Sequence, residues 1–380
     1  MFSRSIVSPD DQKVTFVELF FDLVFVFSVT QVVGLLHHGL SWGLAGQGIL
    51  VFWLVWWAWT QFTWALNAAD TTHAVVQLGT LVATGVAFFM AVAVPDAFHR
   101  SPLWFAGPYV LVRLIGLALY VWVSWDDQQQ RHAVRLFGGL SMAGLVAVLA
   151  GAVLGGTLQY VMWGLAILLD ILAAKVGARQ DGWNIHPEHF GERHGLFVII
   201  ALGETLIVAA AGVTGAEWGH SLMAVCVLAV GVTCALWWSY FTHAKPGLDL
   251  KLEQAVGPAR SEMARDVFSL LHFPMLCGVI AYAVAIEEAI HHPEQAMSTA
   301  ARISLALGVL LFVGGMALAT WRAGRRLMGW RIILTLSMVL GLLLLSELVP
   351  VWAFALVFAG TALIGILEDR GGTHLADQEL

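Results

Sequence analysis

Apolar stretches of about 20 residues follow one another along almost the whole chain. A stretch of that length, wound as an α-helix, crosses a hydrocarbon layer of roughly 30 Å. Backbone polar groups in lipid must pair within the protein, and a helix pairs them within a single segment. The pattern therefore predicts an all-α polytopic membrane protein. The twelve predicted spans are 14–36, 44–66, 73–94, 103–125, 132–153, 158–176, 194–213, 219–243, 264–290, 299–321, 330–347 and 350–368.

Composition agrees with this class, since 59% of the residues are hydrophobic and only 12% are charged. The last two predicted spans are separated by little more than Pro350, so a count of ten or eleven spans stays open. Glu18 and Asp22 interrupt the first apolar stretch where the core of a cleavable signal should be. We therefore expect the first helix to be retained.

The distribution of basic residues predicts the orientation in the inner (plasma) membrane, because Lys and Arg collect on the cytoplasmic side. With the N-terminus inside and an even number of spans, both termini are cytoplasmic and nearly all basic residues fall on that face. The cytoplasmic set is Arg4, Lys13, Arg131, Arg135, Lys175, Arg179, Arg193, Lys245, Lys251, Arg260, Arg265, Arg322, Arg325, Arg326, Arg331 and Arg370, against Arg100 and Arg302 outside.

Two halves of the sequence resemble each other. "FVELFFDLVFVFSVTQVV" opens the first span and "FGERHGLFVIIALGETLI" lies at the seventh, while "WWAW" in the second span matches "WWSY" in the eighth. "AVAVPDAF" likewise ends the third span and "AVAIEEAI" the ninth. These matches predict a 6+6 parallel internal repeat. Its parts are a repeat at 1–176, a cytoplasmic connecting loop at 177–193, a second repeat at 194–369 and a cytoplasmic tail at 370–380.

Charged side chains within the predicted spans are the candidate site. Each such charge costs about 2.5–3.5 kcal/mol to insert at a helix centre, so these groups should face one another. We expect Arg113, whose guanidinium can bridge two carboxylates, to contact Asp22 and Glu204. The predicted proton- or ion-binding residues, all in the cytoplasmic half of the bilayer, are Glu18, Asp22, Arg113, Asp170, Glu204 and His272.

Each of these residues also has a structural interpretation. Arg113 with one or two acids can be a clamp that joins the two halves, and Glu18 can be an acid favoured at a helix start. His272 lies beside Pro274, which bends a helix, and fits a proton relay or a hydrogen-bonded core histidine equally well. The tryptophans of the second span are interpreted as packing residues and interfacial anchors.

The segment "HPEHFGERH" contains His186, His189, Glu192 and His194, but their spacing fits no standard zinc site. We therefore expect neither a metal nor a cofactor. Glu192 and Arg193 instead predict a polar entrance to the seventh span, whose other motif residues are His189 and Gly195.

Common enzyme motifs are missing: the sequence has no Walker phosphate loop, HExxH, GxSxG or aspartate-rich pair. The three cysteines form no CxxC pair and read as packing residues. No nucleic-acid partner is expected. The expected partners are membrane lipids and a solute or ion that the sequence does not identify, and the oligomeric state stays open.

"ELFFDLVFVFSVTQ" at 18–31, together with "HFGERHGLFVIIALGETL" at 189–206, resembles the bacterial low temperature requirement protein A (LtrA) family over nearly the whole chain. The resemblance implies a polytopic membrane protein named for growth in the cold, without an assigned reaction. Its characteristic residues here would be Glu18, Asp22, His189, Glu192, Arg193, Gly195 and Glu204. "WWSYFTH" lacks an acid near Thr242 that many relatives would have.

The leading functional hypothesis is a carrier or permease that binds a proton or cation at Asp22 and Glu204, with Arg113 as counter-ion and His272 as relay. The alternatives are an intramembrane enzyme acting on a lipid or isoprenoid through the same acids, and a non-catalytic scaffold or sensor.

Overall fold

The computed structural model describes residues 6–9, 11–37, 41–180, 182–214, 218–324 and 329–376. Arg4, Arg325 and Arg326, which contribute to the orientation prediction, lie outside these residues, as does the predicted tail from residue 377 onward. Twelve long helices make up nearly all of the described chain, which confirms the predicted all-α membrane class.

Eleven helices in the described residues are long and apolar enough to cross a membrane. A further apolar helix, Gly329–Leu344, has only 16 residues. In chain order the twelve are α1 Phe16–His37, α2 Trp42–Ala68, α3 Ala74–Val92, α4 Pro102–Val123, α5 Gln128–Leu154, α6 Gly156–Gly177, α7 Pro187–Val213, α8 His220–Gln254, α9 Pro258–His291, α10 Thr299–Gly324, α11 Gly329–Leu344 and α12 Pro350–Ala376.

Every predicted span lies on one of these helices, but α7 begins at Pro187 and not at residue 194. Proline suits the first helical position, because its missing N–H needs no partner there. The charged residues that follow Pro187 lower the mean hydropathy, so a hydropathy pattern does not detect this helix start. Because the helix begins at Pro187, three residues that were predicted to lie in the connecting loop are helical: His189, Glu192 and Arg193.

Two helices contain a π-helical segment, Ser239–Ala244 within α8 and Ala264–Leu270 within α9. Such segments occur often at functional sites. His272 follows the second of them after one intervening residue, Leu271.

The described chain divides into two compact units. The first contains residues 1–197 and 252–269, and α2 lies at its centre with most of its side chains buried. Around α2 pack α1, α4 and α6, while α5 packs along α6. The strand-like segment at Val7 pairs with Ala69, so the chain before α1 is held against the end of α2.

The second unit contains residues 198–251 and 270–380. Here α9 packs along α10, α10 against α11, and α12 against both α8 and α11. The 6+6 repeat and its boundaries stay a prediction.

Candidate functional site

Glu18 and Asp22 lie one turn apart on α1, and both are 0% exposed. Glu18 occupies the first turn, where its Oε2 accepts hydrogen bonds from the N–H and the Oγ1 of Thr15, each at 2.9 Å. This is the capping-box arrangement, in which an acid in the first turn reaches back to the residue before the helix. Glu18 therefore has the contacts of a helix-start acid through Oε2. Its other oxygen, Oε1, does not take part in this capping contact.

Arg193, in the second turn of α7, contacts both acids and is itself 0% exposed. Its Nε donates to Asp22 Oδ2 at 3.0 Å and its Nη2 donates to Asp22 Oδ1 at 2.5 Å. Its Nη1 donates to Glu18 Oε1 at 2.7 Å. Trp59 of α2 adds a donor, because its indole N–H lies 2.7 Å from Asp22 Oδ1. The guanidinium therefore holds Asp22 by two parallel bonds and Glu18 by a third.

The expected contact between Arg113 and Asp22 is wrong. Arg113 instead pairs with Asp170, and Asp22 pairs with Arg193. The error arises because the prediction starts the seventh span at residue 194, which places Arg193 in the loop before it. Arg113, which lies inside a predicted span, is then chosen as the partner of these acids.

His189 completes the group around Glu18. Its Nε2 lies 3.0 Å from Glu18 Oε1, and its Nδ1 lies 2.9 Å from the side-chain nitrogen of Asn67 on α2. His189 is 0% exposed and lies one turn before Arg193 on α7. We call Glu18, Asp22, His189 and Arg193 the Glu18 cluster.

The charge balance of the Glu18 cluster depends on the protonation state of His189. All four carboxylate oxygens accept hydrogen bonds from the donors named above. Two carboxylates then face one guanidinium, and an uncharged His189 leaves a net charge of −1. Donors offset part of the cost of burying this charge, but one further proton would neutralise the cluster.

A second buried ion pair lies in the same unit and is balanced. Arg113 of α4 donates through Nη2 to Asp170 Oδ1 at 2.9 Å and through Nη1 to Asp170 Oδ2 at 3.3 Å. Its Nη1 also donates to Tyr109 Oη at 2.6 Å, and its Nε donates to Gln61 Oε1 at 2.5 Å. Both charged residues belong to the predicted first half, so this pair does not clamp that half to the other. It joins α4 to α6 and α2.

The other two candidates, Glu204 and His272, lie in the second unit. Glu204 is partly exposed on α7, and His272 is fully buried two residues after the π-helical segment of α9. His272 Nε2 lies 2.7 Å from the hydroxyl of Tyr240, which belongs to the π-helical segment of α8. The assignment of Glu204 and His272 to ion binding stays a prediction.

The predicted entrance residues separate into buried and exposed members. His189, Arg193 and Gly195 are buried, whereas Glu192 is exposed. In the part of the chain that the structure describes, no group of three or more His, Cys, Asp or Glu side chains is arranged to hold a metal ion.

Four side chains of the two ion-pair groups are absent from the sequence-based prediction: Asn67, Gln61, Trp59 and Tyr109. Asn67 and Gln61 carry a usable signal, because a carboxamide inside an apolar span needs a buried partner as a charge does. The interpretation of Trp59 as packing is correct for its ring but omits its indole N–H. Thr15 and Glu18 also form a T-x-x-E pattern that indicates a capping box.

Comparison with known proteins gives a family match over nearly the whole chain. The family model described as bacterial low temperature requirement A protein (LtrA) matches residues 13–366. A protein of Rhizobium meliloti (strain 1021), described as uncharacterized, is 28% identical over 372 residues, which cover 95% of this chain and 88% of that protein. No solved structure matches the chain.

Proposed function

The chain belongs to the bacterial low temperature requirement A (LtrA) protein family, and from that premise we propose that it is a proton-coupled membrane carrier. The Glu18 cluster is its proton-binding site. The proton enters a buried group that has two acids, one guanidinium and one imidazole.

The observation that supports this proposal is the charge deficit of the Glu18 cluster. Arg113 and Asp170 form a buried pair with equal and opposite charges, as expected of a structural ion pair. The Glu18 cluster has the same burial, and while His189 is uncharged it has an excess of one negative charge. A fixed charge in a membrane interior is costly, and intramembrane acids and histidines of this kind serve as proton relays in pumps and transporters.

Transport further requires that the site open in turn to each side of the membrane. A rearrangement of the two predicted repeats would supply this alternation. Glu204 and His272 are proposed as further proton-binding positions in the second unit. Tyr240 can exchange a proton with His272 across their 2.7 Å contact.

Proton flux through the purified protein tests the proposal. The protein is reconstituted in liposomes that contain a pH-sensitive dye, and a pH gradient is imposed. We expect Glu18→Gln to abolish the protein-dependent flux, because an amide in place of the carboxylate cannot carry the charge that proton binding neutralises. Glu188→Gln, which removes an exposed charge from the same helix as Arg193, is the matched control and should retain flux. Equal flux in both variants contradicts a proton site at Glu18.

The two alternatives give other outcomes. An intramembrane enzyme would change the lipid profile of overexpressing membranes, measured by mass spectrometry, and the change would disappear in Glu18→Gln. A scaffold would show neither flux nor lipid change. The family description also provides a cellular readout: a strain without the protein is expected to grow poorly at low temperature and to be rescued by the wild type but not by Glu18→Gln.

A further inference from the structure

We propose that Asn67 is a positioning residue that keeps His189 uncharged while the segment before α7 is docked, so that His189 can take up a proton only after this segment moves. This inference rests on the proposed function. It names the group of the Glu18 cluster that receives the proton and the contact that controls its access.

The orientation of the Asn67 carboxamide follows from its contacts with His186. The main-chain N–H of His186 lies 2.9 Å from Asn67 Oδ1, and a main-chain N–H can only donate. The other end of the carboxamide must then be the NH2 group. It donates to the main-chain oxygen of His186 at 3.1 Å and faces His189 Nδ1 at 2.9 Å.

This orientation determines the protonation state of His189. Because Asn67 presents N–H groups, Nδ1 of His189 must be the acceptor and carry no proton. The ring proton is therefore on Nε2, which donates to Glu18 Oε1 at 3.0 Å. The partner of one ring nitrogen thus selects the tautomer of the whole ring.

The charged and titratable groups that face His189 come from three sides. Glu18 of α1 accepts from its ring, and Arg193, one turn later on α7, bonds the same Glu18 oxygen. Asn67 of α2 is neutral, and His186 contributes its main chain through Asn67. Glu18 thus favours an imidazolium, whereas Asn67 blocks it by facing Nδ1 with a donor.

Rotation of the carboxamide alone cannot remove this block. Exchanging its oxygen and nitrogen would set two donors face to face at the His186 N–H and two acceptors at the His186 oxygen. Both hydrogen bonds would be lost, and their donors and acceptors would be left unpaired in a partly buried site. The cheaper route is for the segment that carries His186 to move away from Asn67.

A second contact holds the same segment. Arg260 of α9 donates through Nη1 to the main-chain oxygen of Ile185 at 3.3 Å, one residue before His186. Docking of this segment and the neutral state of His189 are therefore coupled. When the segment leaves, Asn67 can turn, Nδ1 becomes free to bind a proton, and the net charge of the Glu18 cluster changes from −1 to 0.

Nitrogen NMR of histidine-labelled protein in detergent micelles tests the inference without any transport measurement. The His189 signals are identified as those missing from His189→Gln. In the wild type at neutral pH we expect an unprotonated Nδ1 and a protonated Nε2. A protonated Nδ1 in the wild type overturns the inference.

Asn67→Asp is the decisive variant, because a carboxylate can accept from both the His186 N–H and a protonated His189 Nδ1. We expect His189 to be doubly protonated in this variant at neutral pH. The matched control is Asn184→Asp, which adds the same charge to the same segment at an exposed position. Identical His189 signals in the two variants overturn the proposal.

Arg260→Met provides a second variant in case Asn67→Asp does not fold. It weakens docking of the segment without changing a contact of His189, so a doubly protonated fraction of His189 should appear at neutral pH. A His189 protonation state identical to that of the wild type excludes coupling to the segment. Loss of dye-reported flux in Glu18→Gln tests the carrier separately, so either hypothesis can fail while the other stands.

Discussion

Arg193 supplies the permanent positive charge of the Glu18 cluster, and its guanidinium contacts both Glu18 and Asp22. Replacing it with glutamine leaves two buried carboxylates without a cation. Removing one partner from a buried ion pair costs about 3–5 kcal/mol, and we expect a loss of stability of that order. Arg193→Lys should also be destabilising, since an ammonium cannot form the parallel bonds to Asp22.

The unfolding midpoint in detergent measures this loss. Glu192→Gln is the control, because it removes a charge from the adjacent exposed position on α7. A midpoint for Arg193→Gln that equals the control would contradict the pairing seen in the structure.

The Arg113–Asp170 pair should behave differently when it is removed as a whole. Each single variant, Arg113→Met or Asp170→Leu, leaves one buried charge unpaired and should cost about 3–5 kcal/mol. The double variant removes both charges and should recover most of that loss, since buried ion pairs can often be replaced by apolar groups. A double-mutant cycle on unfolding free energies measures the coupling. Strictly additive losses would mean that the two residues do not depend on each other.

At the residue scale, the sequence shows which polar groups are buried better than it shows how they pair. Glu18 and Asp22 could be placed inside the protein, since a lipid-facing acid is costly. Their partner Arg193 could not be identified, because hydropathy assigns a charged helix start to the loop before it. Asn67 is paired through its side chain with residues far along the chain, and no local pattern predicts such a contact.

At the scale of elements, small residues allow α9 and α10 to pack closely. A methyl group added at Gly278 of α9 would lie 2.7 Å from the main-chain nitrogen of Phe312 and 2.8 Å from the main-chain oxygen of Gly308, both on α10. Backbone atoms cannot turn aside as a flexible side chain can. Small residues at such contacts are typical of helix pairs in membranes.

We therefore expect Gly278→Ala to separate α9 from α10 and to lower stability by about 1–3 kcal/mol, as overpacking does. Gly314→Ala is the control, because an added methyl group there meets nothing within 4 Å. Unfolding of the two variants under the same conditions gives the comparison. Equal stability would show that the α9–α10 contact can relax without cost.

The helices themselves were predictable because each has a continuous apolar signal, whereas the π-helical segments Ser239–Ala244 and Ala264–Leu270 were not. A π-helical segment arises when one residue is accommodated within a continuing helix, and it leaves hydropathy unchanged. The bend expected at Pro274 stays a prediction. The π-helical segment Ala264–Leu270 ends four residues before it, at the carbonyl that a proline N–H would otherwise reach.

At the scale of the whole molecule, hydropathy predicts how many helices exist but not how they group. The first compact unit includes residues 252–269, which are distant in sequence from the rest of that unit. Ser269 of this segment accepts hydrogen bonds from two tryptophans of α2, through its main-chain oxygen from Trp56 and through its hydroxyl from Trp64. Such contacts depend on tertiary geometry. The side of the membrane on which the C-terminus lies depends on one further element, the short helix α11.

α11 has 16 residues and a length of about 24 Å, less than the roughly 30 Å of the hydrocarbon layer. Its contacts nevertheless favour a full crossing. Arg331 in its first turn bonds Glu368 near the end of α12, and it also donates to the main-chain oxygen of Ser239 in α8 at 3.2 Å. The start of α11 therefore lies level with the end of α12, which is itself long enough to span. The chain from Arg331 to Pro350 must then return across the same depth.

This geometry predicts twelve crossings, with the α11–α12 connection on the face opposite the C-terminus. The test uses full-length protein in which the three native cysteines are replaced by alanine and single cysteines are introduced at exposed positions. On whole cells, a membrane-impermeant maleimide should label Ser346→Cys, after α11, and Gln295→Cys, between α9 and α10. Asp126→Cys, between α4 and α5, should react only after the membrane is broken. If Ser346→Cys is protected while Gln295→Cys is labelled, α11 does not cross, and the two termini lie on opposite sides of the membrane.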